Sequence, residues 1–389
     1  MRACMIGYTF YNADIRVRRY AEALVQRGGS ADAIALARDD QPHTGSLRGV
    51  RILRVQKRVI DETGPLSYLF KLARFFFSSA WVVTREHLRE PYDLIHVHSV
   101  PDFEVFATII PRLLGAKVIL DIHDLVPEFY ASKFGVSMKS PVIRLLILLE
   151  RLSIAYSNHV IISNDLWRER LIERSVRPEK CTTILNYPDT TIFSPSKSEE
   201  RKDRGFVLCY PGSLNWHQGL DLAIEAVNLL RDRIPAIKLL IVGDGPERGR
   251  LENLIQRLRL EEFVSLARIV PSEEVAKIMA SVDLGVVPKR ANAFGNEAFS
   301  TKIFEFMAVG VPVVVPRTKI DQLYFSDELV EFFEPDRAED LAAKIEALWQ
   351  NRTRRDQLRA AGAQWAAANS WDSKKHVYLE LVDKMTGAD

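Results

Sequence analysis

Cysteine is scarce in this chain: Cys4, Cys181 and Cys209 are the only three in 389 residues. An odd, sparse, unpatterned set argues against a disulfide framework or a zinc knuckle and suits a reducing compartment. No run of about 18 apolar residues occurs, so no membrane-spanning helix is expected. The opening residues, MRACMIGYTFYNAD, have no apolar h-region and no small-residue cleavage site. They read as a first strand rather than a secretory signal, which places the expected location in the cytoplasm. A strong charge of one sign is also lacking: 53 Lys and Arg against 51 Asp and Glu leave a net +2. Residues 1–190 hold 26 basic against 21 acidic side chains and the rest 27 against 30, or +5 and −3. That asymmetry is too small for a nucleic-acid partner, but compatible with one half approaching an anionic surface. Short-period repeats and low-complexity tracts are absent.

What is present is the balance of a soluble globular protein, 47% apolar and 27% charged. The length exceeds one ordinary core and suits two domains of roughly 150 to 200 residues each. Short β-branched runs alternate with helical-period stretches. Strands are expected at 3–7, 50–55, 94–97, 117–121 and 160–163, with helices at 18–26, 68–87, 104–113 and 142–156. The polar stretch 189–205 breaks the pattern and is the expected linker. The alternation then restarts. Strands are expected at 207–210, 238–242, 263–266, 284–287 and 313–315, and helices at 220–231, 247–260, 273–280, 301–308 and 338–349. A final amphipathic helix covers 371–385. This pattern predicts an α/β protein of two Rossmann-like, doubly wound domains facing across a cleft, with ligands beyond the strands' carboxyl ends.

The richest stretch is 282–315, VDLGVVPKRANAFGNEAFSTKIFEFMAVGVPVVV. Ser300 is placed to cap a helix that carries Glu305 one turn in, with Glu297 in the loop before it. The free N–H groups and positive dipole end of such a helix suit a phosphate. A carboxylate on either side can accept charge-assisted hydrogen bonds from sugar and ribose hydroxyls. By spacing alone, two solvated glutamates on a surface helix are the favoured reading.

The run Glu297-x7-Glu305, followed by Phe306-Met307-Ala308-x-Gly310-x-Pro312-Val313-Val314, resembles the signature of retaining GT-B glycosyltransferases of family 4. The resemblance covers essentially the whole chain and is weakest over 30–90. It implies an N-terminal acceptor-side domain at 1–190, a nucleotide-sugar-binding domain at 191–370, and a helix at 371–389 that crosses back. It implies that Glu297 faces donor-sugar hydroxyls, that Glu305 faces the ribose, and that amides of Phe299, Ser300 and Thr301 reach the diphosphate. Ile241–Glu247, with Gly243 and Gly245, is similar to the family's loop by the donor, although a Gly-x-Gly turn alone is weak. The stretch around Ile269 resembles the one whose backbone reads the base. The donor implied is a UDP- or GDP-linked sugar, with no further cofactor.

One departure stands out. The family's first loop of the second domain reads Gly-Arg-x4-Lys-Gly; here it is Gly212-Ser213-Leu214-Asn215-Trp216-His217-Gln218-Gly219. Both basic residues are absent, although a leaving nucleoside diphosphate needs preorganised positive charge. Lys302, in the first helical turn, is the expected substitute, with Lys289 and Arg290 next. An exposed helix lysine is the plainer reading of Lys302.

In the first domain His123 and Asp124 fall just past a strand end. Family members carry a histidine there near the donor sugar. His98 ends the preceding strand and could hold sugar or acceptor, although a lone histidine is more often a structural hydrogen-bonder. His96, His98, His123 and Asp124 lack metal-ligand spacing, and GT-B enzymes usually need no metal, so no metal is expected. The family uses the first loop at phosphates and acceptor, often through a Gly-Gly pair that is missing here. Tyr8, Asp14 and Arg16 are its candidates, Asp14 having a plainer role as an N-cap. Arg16 and Arg19 could also supply positive charge.

Two apolar helices, 69–83 and 141–155, carry basic residues. Burial against the core has the edge, and peripheral contact with the inner face of a membrane stands beside it. The reaction expected is transfer of a sugar, with retention, to a glycan, glycolipid or small acceptor. Polysaccharide or glycolipid assembly is the context by analogy only. Two rivals remain. A sugar-nucleotide epimerase of the same fold would convert donor alone, and a non-catalytic sugar-nucleotide-binding protein would turn nothing over.

Overall fold

The computed structural model describes residues 1–38, 40–58, 65–195 and 205–387. The chain divides into two compact units, Met1–Asn186 with Lys374–Asp389, and Tyr187–Ser373. The first unit holds β1 (Arg2–Gly7), β2 (Ser30–Ala37), β3 (Thr44–Leu47), β4 (Val50–Lys57), β5 (Leu94–His98), β6 (Lys117–Ile122), β7 (His159–Ile162) and β8 (Cys181–Thr183). Their order in the sheet is β3-β4-β2-β1-β5-β6-β7-β8. Among the described residues only the β3–β4 pairing is antiparallel. The second unit holds β9 (Val207–Pro211), β10 (Lys238–Val242), β11 (Val264–Ala267), β12 (Leu284–Val286), β13 (Val313–Pro316) and β14 (Glu331–Phe333). These six are parallel and ordered β11-β10-β9-β12-β13-β14.

Each sheet is doubly wound. The chain builds outward from its first strand on one side, then returns to build on the other. The strand order therefore reverses between β1 and β5 in one unit and between β9 and β12 in the other. Crevices for ligands open beyond the carboxyl ends of strands at such points. Apart from the antiparallel edge strand β3, the strands are largely buried because helices cover both faces of each sheet. In the second unit Leu208, Ile241, Val286 and Val314 meet Ile224, Leu254 and Ile345 in one apolar core.

The expected strands and helices are present, with ends shifted by a few residues. Missing from expectation were β2, β3, β8 and β14 and the helices Val126–Phe134, Asp165–Arg174, Lys319–Tyr324 and Arg352–Ala368. The division between units falls after Asn186, just ahead of the expected linker. Of that linker, residues 196–204 lie outside the described residues. Phe193 is buried, and its N–H bonds the Asp189 carbonyl at 2.7 Å. The tail helix Trp371–Thr386 starts in the second unit, and from Lys374 onward it belongs to the first. There it buries Tyr378 and Val382.

The two apolar helices are core-facing on one stripe only. Pro65–Arg89 buries Leu72, Phe75 and Val83 but exposes Phe70, Phe77 and Trp81. Pro141–Tyr156 buries Ile143 and Ile154 but exposes Leu145, Leu148 and Leu152. Both pack on the turn Asp102–Thr108, whose following helix exposes Ile109, Ile110 and Leu113. The two acidic residues described on these helices, Glu86 and Glu150, are buried, whereas Arg74, Arg85, Arg89, Arg144 and Arg151 are exposed. Among the described residues no helix is long and apolar enough to cross a membrane. The three cysteines are free and buried. Burial pushes the Cys181 and Cys209 thiols up to about 12, so neither supplies a thiolate at neutral pH.

Candidate active site

In the second unit, the site candidates gather at the sheet's switch point. The loop after β12 runs to the helix Thr301–Ala308, and a buried ion pair pins it. The Lys289 ammonium lies 2.9 Å from Asp321 and donates to the Ala298 carbonyl at 2.8 Å. Asn296 accepts from the N–H groups of Lys319 and Ile320. Phe299 sets its ring edge-on to Phe304 and Tyr324, which fixes the backbone of 299–301 rather than offering a ring to a ligand. Glu297 is therefore held in a firm loop, itself nearly buried.

Ser300 occupies the N-cap position with extended backbone but makes no capping bond. Its hydroxyl is buried and has no hydrogen-bond partner among the described residues. The expected capping role is thus corrected. Ile303 N–H bonds the Ser300 carbonyl at 3.2 Å, which leaves the amides of Thr301 and Lys302 at the helix start, and a buried hydroxyl stands unused at the same place. Two turns' worth of charge follow it: Lys302 and Glu305. Burial pushes the Lys302 ammonium down, and Glu305 opposes that shift. Burial likewise pushes the Glu305 carboxyl up, against Lys302 and a Thr301 hydroxyl bond.

Lys302 leans over the Gly212 loop. A Cβ built at Gly212 would lie 2.3 Å from Lys302 Cε and 3.0 Å from its Nζ, and Gly212 has φ +138°. Only glycine lets the chain run there and leaves room for the lysine. Tyr210 lies beneath, its ring 5.3 Å from the ammonium. Its hydroxyl sits 3.0 Å from the Ser213 carbonyl and 2.9 Å from Gln218 Oε1. Gln218, which stands where the family has lysine, thus helps to hold the loop.

Gly243 and Gly245 serve a closer packing than expected. A Cβ on Gly243 would fall 1.8 Å from the Gly212 carbonyl oxygen, and one on Gly245 2.6 Å from that of Leu214. They bring two strand-end loops into backbone contact, sealed by Leu214 N–H to Asp244 and Glu247 N–H to Leu214. Ile269 stands beyond β11, 72% exposed, an open apolar surface beside that loop. Lys289 is ruled out as a phosphate cation because Asp321 takes its charge. Arg290 is committed as well, to Asp221 and Asp336 and against the Trp216 ring at 4.8 Å. Lys302 is the remaining cation of the three.

In the first unit the switch point is closed instead. Asp121, fully buried in β6, takes both arms of Arg16, Nη2 at 2.7 Å on Oδ1 and Nε at 2.9 Å on Oδ2. Arg16 also donates to the Ile184 carbonyl at 3.1 Å. The expectation that Arg16 meets acceptor or phosphate is therefore corrected: its guanidinium is spent inside the unit. Arg19 is buried too and donates to the Leu185 carbonyl at 2.8 Å. Asp14 caps the helix Ile15–Gln26, accepting from Val17 N–H at 3.2 Å. Tyr8 is buried edge-on against Phe75. Asp124 is only partly exposed, and burial raises its carboxyl.

His98 is likewise buried rather than exposed to an acceptor. Its Nδ1 is 3.2 Å from Asp121 Oδ2 and 3.3 Å from His123 Nε2. His123 Nε2 is itself 3.3 Å from that oxygen, and the His123 side chain is 23% exposed. It is the one imidazole of this cluster that reaches outward. Behind them His96 stacks on His98 at 4.2 Å and meets the Tyr378 hydroxyl at 3.1 Å. His96, His98 and Asp121 bring ligand atoms within 4.8 Å of one another, close enough for a metal. The Arg16 fork already occupies both carboxylate oxygens, so the donor set fits an ion-paired relay better than a cation site. Asp121 was missed from the sequence, and His96 was weighed there only as a metal ligand. The spacing held the signal: His96 and His98, like Asp121 and His123, are two residues apart, and β5 and β6 pair His98 with Asp121.

Two family descriptions match this chain. "Glycosyl transferases group 1" covers residues 193–365, and "Glycosyl transferase 4-like domain" covers 13–186. The chain belongs to the group 1 glycosyl transferases. It is 25% identical over 261 residues to the phosphatidylinositol N-acetylglucosaminyltransferase gpi3 subunit of Schizosaccharomyces pombe, covering 65% of this chain and 55% of that one. It spans between 37 and 55% of the length of three such curated relatives. Among solved structures, sucrose-phosphate synthase from Thermosynechococcus elongatus superposes with a TM-score of 0.81 at 20% identity over all of both chains. Anabaena Alr3699/HepE in complex with UDP and glucose gives 0.73 at 18% identity, over 98% and 99% of the two chains. These likenesses place the fold among GT-B glycosyltransferases.

Proposed function

We propose that this chain transfers a sugar from a nucleoside-diphosphate sugar to a carbohydrate or lipid-linked acceptor, with retention at the anomeric carbon. The donor sits on the second unit. The start of Thr301–Ala308 and the Ser300 hydroxyl take the diphosphate. Glu305 takes the ribose, Glu297 the sugar hydroxyls, and the exposed stretch at Ile269 borders the base. UDP binding in a neighbour of the same fold supports a nucleotide donor. No side chain of the site is placed as a nucleophile. Catalysis on this reading is positioning plus electrostatics, with the leaving phosphate taking the acceptor's proton.

The observation that carries the reading is Lys302 leaning over Gly212. It puts a cation where the family's arginine and lysine are missing, and it weighs against a binding-only protein. An epimerase remains distinguishable because it would convert donor without acceptor. On the first unit, His123, the imidazole of its cluster that reaches outward, is fit to hydrogen-bond a sugar hydroxyl. The unit's exposed apolar stripes, flanked by arginines with their acids buried, support peripheral contact with the cytoplasmic face of a membrane that presents the acceptor.

The test pairs thermal stabilisation by UDP, GDP and their sugars with turnover in wild type and Lys302→Met. A nucleotide that stabilises wild type should lose about tenfold or more in affinity, and turnover should fall by on the order of 10²-fold. Unchanged turnover in Lys302→Met would remove the lysine from the mechanism. No stabilisation by any nucleotide would remove the donor site itself.

A further inference from the structure

The loop that lacks the family's arginine and lysine still carries one titratable side chain, His217. It sits on the short turn Trp216–Gln218, in the loop after β9. The turn is pressed onto the chain just past β12: a Cβ built at Gly219, which has φ +65°, would fall 2.1 Å from the Pro288 carbonyl oxygen. The His217 carbonyl accepts from Arg290 N–H at 2.9 Å. Its imidazole stands edge-on to the Phe294 ring, with centroids 5.8 Å apart. The Phe294 carbonyl in turn accepts from the N–H groups of Glu297 and Ala298, at 3.1 and 2.8 Å. On its other side the same turn reaches beneath Lys302, through Gln218 and the Tyr210 that it bonds. His217 is thus held between the lysine and the glutamate loop of the second unit. It is partly exposed, and its imidazole makes no hydrogen bond among the described residues.

Burial pushes His217 down and Lys302 adds to that, so the ring is neutral at pH 7 in the free protein. The other charges on the elements around it are already matched or stand behind a neighbour. Arg290 is paired with Asp221 and Asp336, and Lys289 with Asp321. Glu305 acts on Lys302, and Glu297 follows Phe294. A diphosphate held at Lys302 adds negative charge beside the imidazole and offsets the repulsion. We propose that His217 is a donor-binding residue: it takes up a proton from solvent as the diphosphate binds, and so becomes the second cation that the loop otherwise lacks. The proposal rests on the sugar-transfer reading above, which puts a diphosphate beside Lys302. A lysine in this loop would be charged before and after binding, and two fixed cations would repel each other in the empty site. A histidine is charged only with the anion in place. The bound state then holds more protons than the free state, so affinity rises as pH falls.

Calorimetric binding of UDP-glucose and of GDP-mannose to the full chain, between about pH 6 and about pH 8, tests this. A sugar nucleotide is the right probe because its diphosphate is esterified at both ends. Free UDP has a terminal phosphate that itself titrates in that range. In wild type, affinity for the probe that binds should rise about threefold to tenfold from the upper pH to the lower. Heats in two buffers of different ionisation enthalpy should show net proton uptake near pH 7. In His217→Gln, which cannot take the proton, affinity should stay near the wild-type value at the upper pH and most of the rise should vanish. Should His217→Gln not fold, His217→Asn gives the same comparison. Binding to wild type with no proton uptake overturns the proposal, as does an equal pH dependence in the variant. In both cases the sugar-transfer reading survives, because donor still binds. If neither sugar nucleotide binds at any pH, that reading fails and the proposal falls with it.

Discussion

The two units share a strand order near the switch point but treat charge there in opposite ways. In the first unit every cation near the reversal is consumed. Arg16 is forked on Asp121, Arg19 and Arg16 donate to carbonyls, and two of three imidazoles are sealed in. Only His123 is left to face outward. In the second unit the structural pairing is done one step back, by Lys289 with Asp321 and Arg290 with Asp221. Lys302 and the Ser300 hydroxyl are left over beside the helix start. The same topology thus builds a rigid mount for one side chain in one unit and leaves an unspent lysine beside a helix start in the other. A carboxylate loaded by arginine can position but cannot bind a diphosphate. The proposed diphosphate site therefore lies on the second unit.

The largest effect should come from breaking the mount. Arg16→Met leaves Asp121 buried without its cation, and uncompensated buried charges of this kind cost about 3–5 kcal/mol. Arg16 and the imidazoles hold the Asp121 carboxyl well below its ordinary range. Its stabilising contribution is therefore full above the unfolded value and is lost as pH falls through the folded one. Urea unfolding near pH 7 should show the loss in Arg16→Met, and Arg16→Met/Asp121→Leu should recover most of it. A single-mutant cost under about 1 kcal/mol would mean that the pair does not hold the mount.

A smaller effect, of opposite sign, should come from Glu104 in the same unit. It is buried, bonded by Ser79, and has no cation among the described residues; burial pushes its carboxyl up to about 8. Folded protein thus keeps a proton that unfolded protein gives up near pH 4.5. Stability falls as pH rises between those values, because the native state binds more protons. Glu104→Gln, isosteric and neutral, should remove that slope. It should be more stable than wild type at pH 9 by roughly 2–4 kcal/mol and nearly equal at pH 4. Parallel curves for the two proteins from pH 4 to 9 would show that no such proton is bound.

Much of this architecture was legible in the sequence. Long β-branched runs such as Val313–Val315 and glycine-punctuated turns marked the doubly wound pattern. The Glu297-x7-Glu305 spacing marked the loop and helix at the second switch point. What escaped had physical reasons. β2, SADAIALA, is alanine-rich and carries Asp32, so its propensity does not favour a strand. It is a strand because β1 and β4 pair on either side. Arg352–Ala368 opens with RTRR and little apolar periodicity, yet Asn351 caps it at Arg354 N–H. In the site, charge partners were the blind spot. Arg16 read as a free cation because Asp121 is 105 residues away in sequence. Lys289 read as a reserve cation because Asp321 lies on an unexpected helix. Which cations are spent is decided by tertiary pairing, and a sequence spacing does not carry it.

The smallest stability effect should also be the most discriminating between the two units. A serine at an N-cap ordinarily accepts from the first turn, and replacing it with alanine costs about 1 kcal/mol. Ser300 makes no such bond, whereas Ser140, which caps Pro141–Tyr156 in the first unit, accepts from Ile143 N–H at 3.3 Å. Ser140→Ala should therefore show the ordinary loss in urea. Ser300→Ala should change stability by less than about 0.5 kcal/mol, since only an unbonded hydroxyl is deleted. Its effect should appear on ligand binding instead, as a several-fold rise in the dissociation constant of the nucleotide that stabilises the wild type. An ordinary capping loss in Ser300→Ala, with nucleotide affinity unchanged, would make Ser300 a structural cap like Ser140. It would also remove the hydroxyl from the proposed diphosphate site.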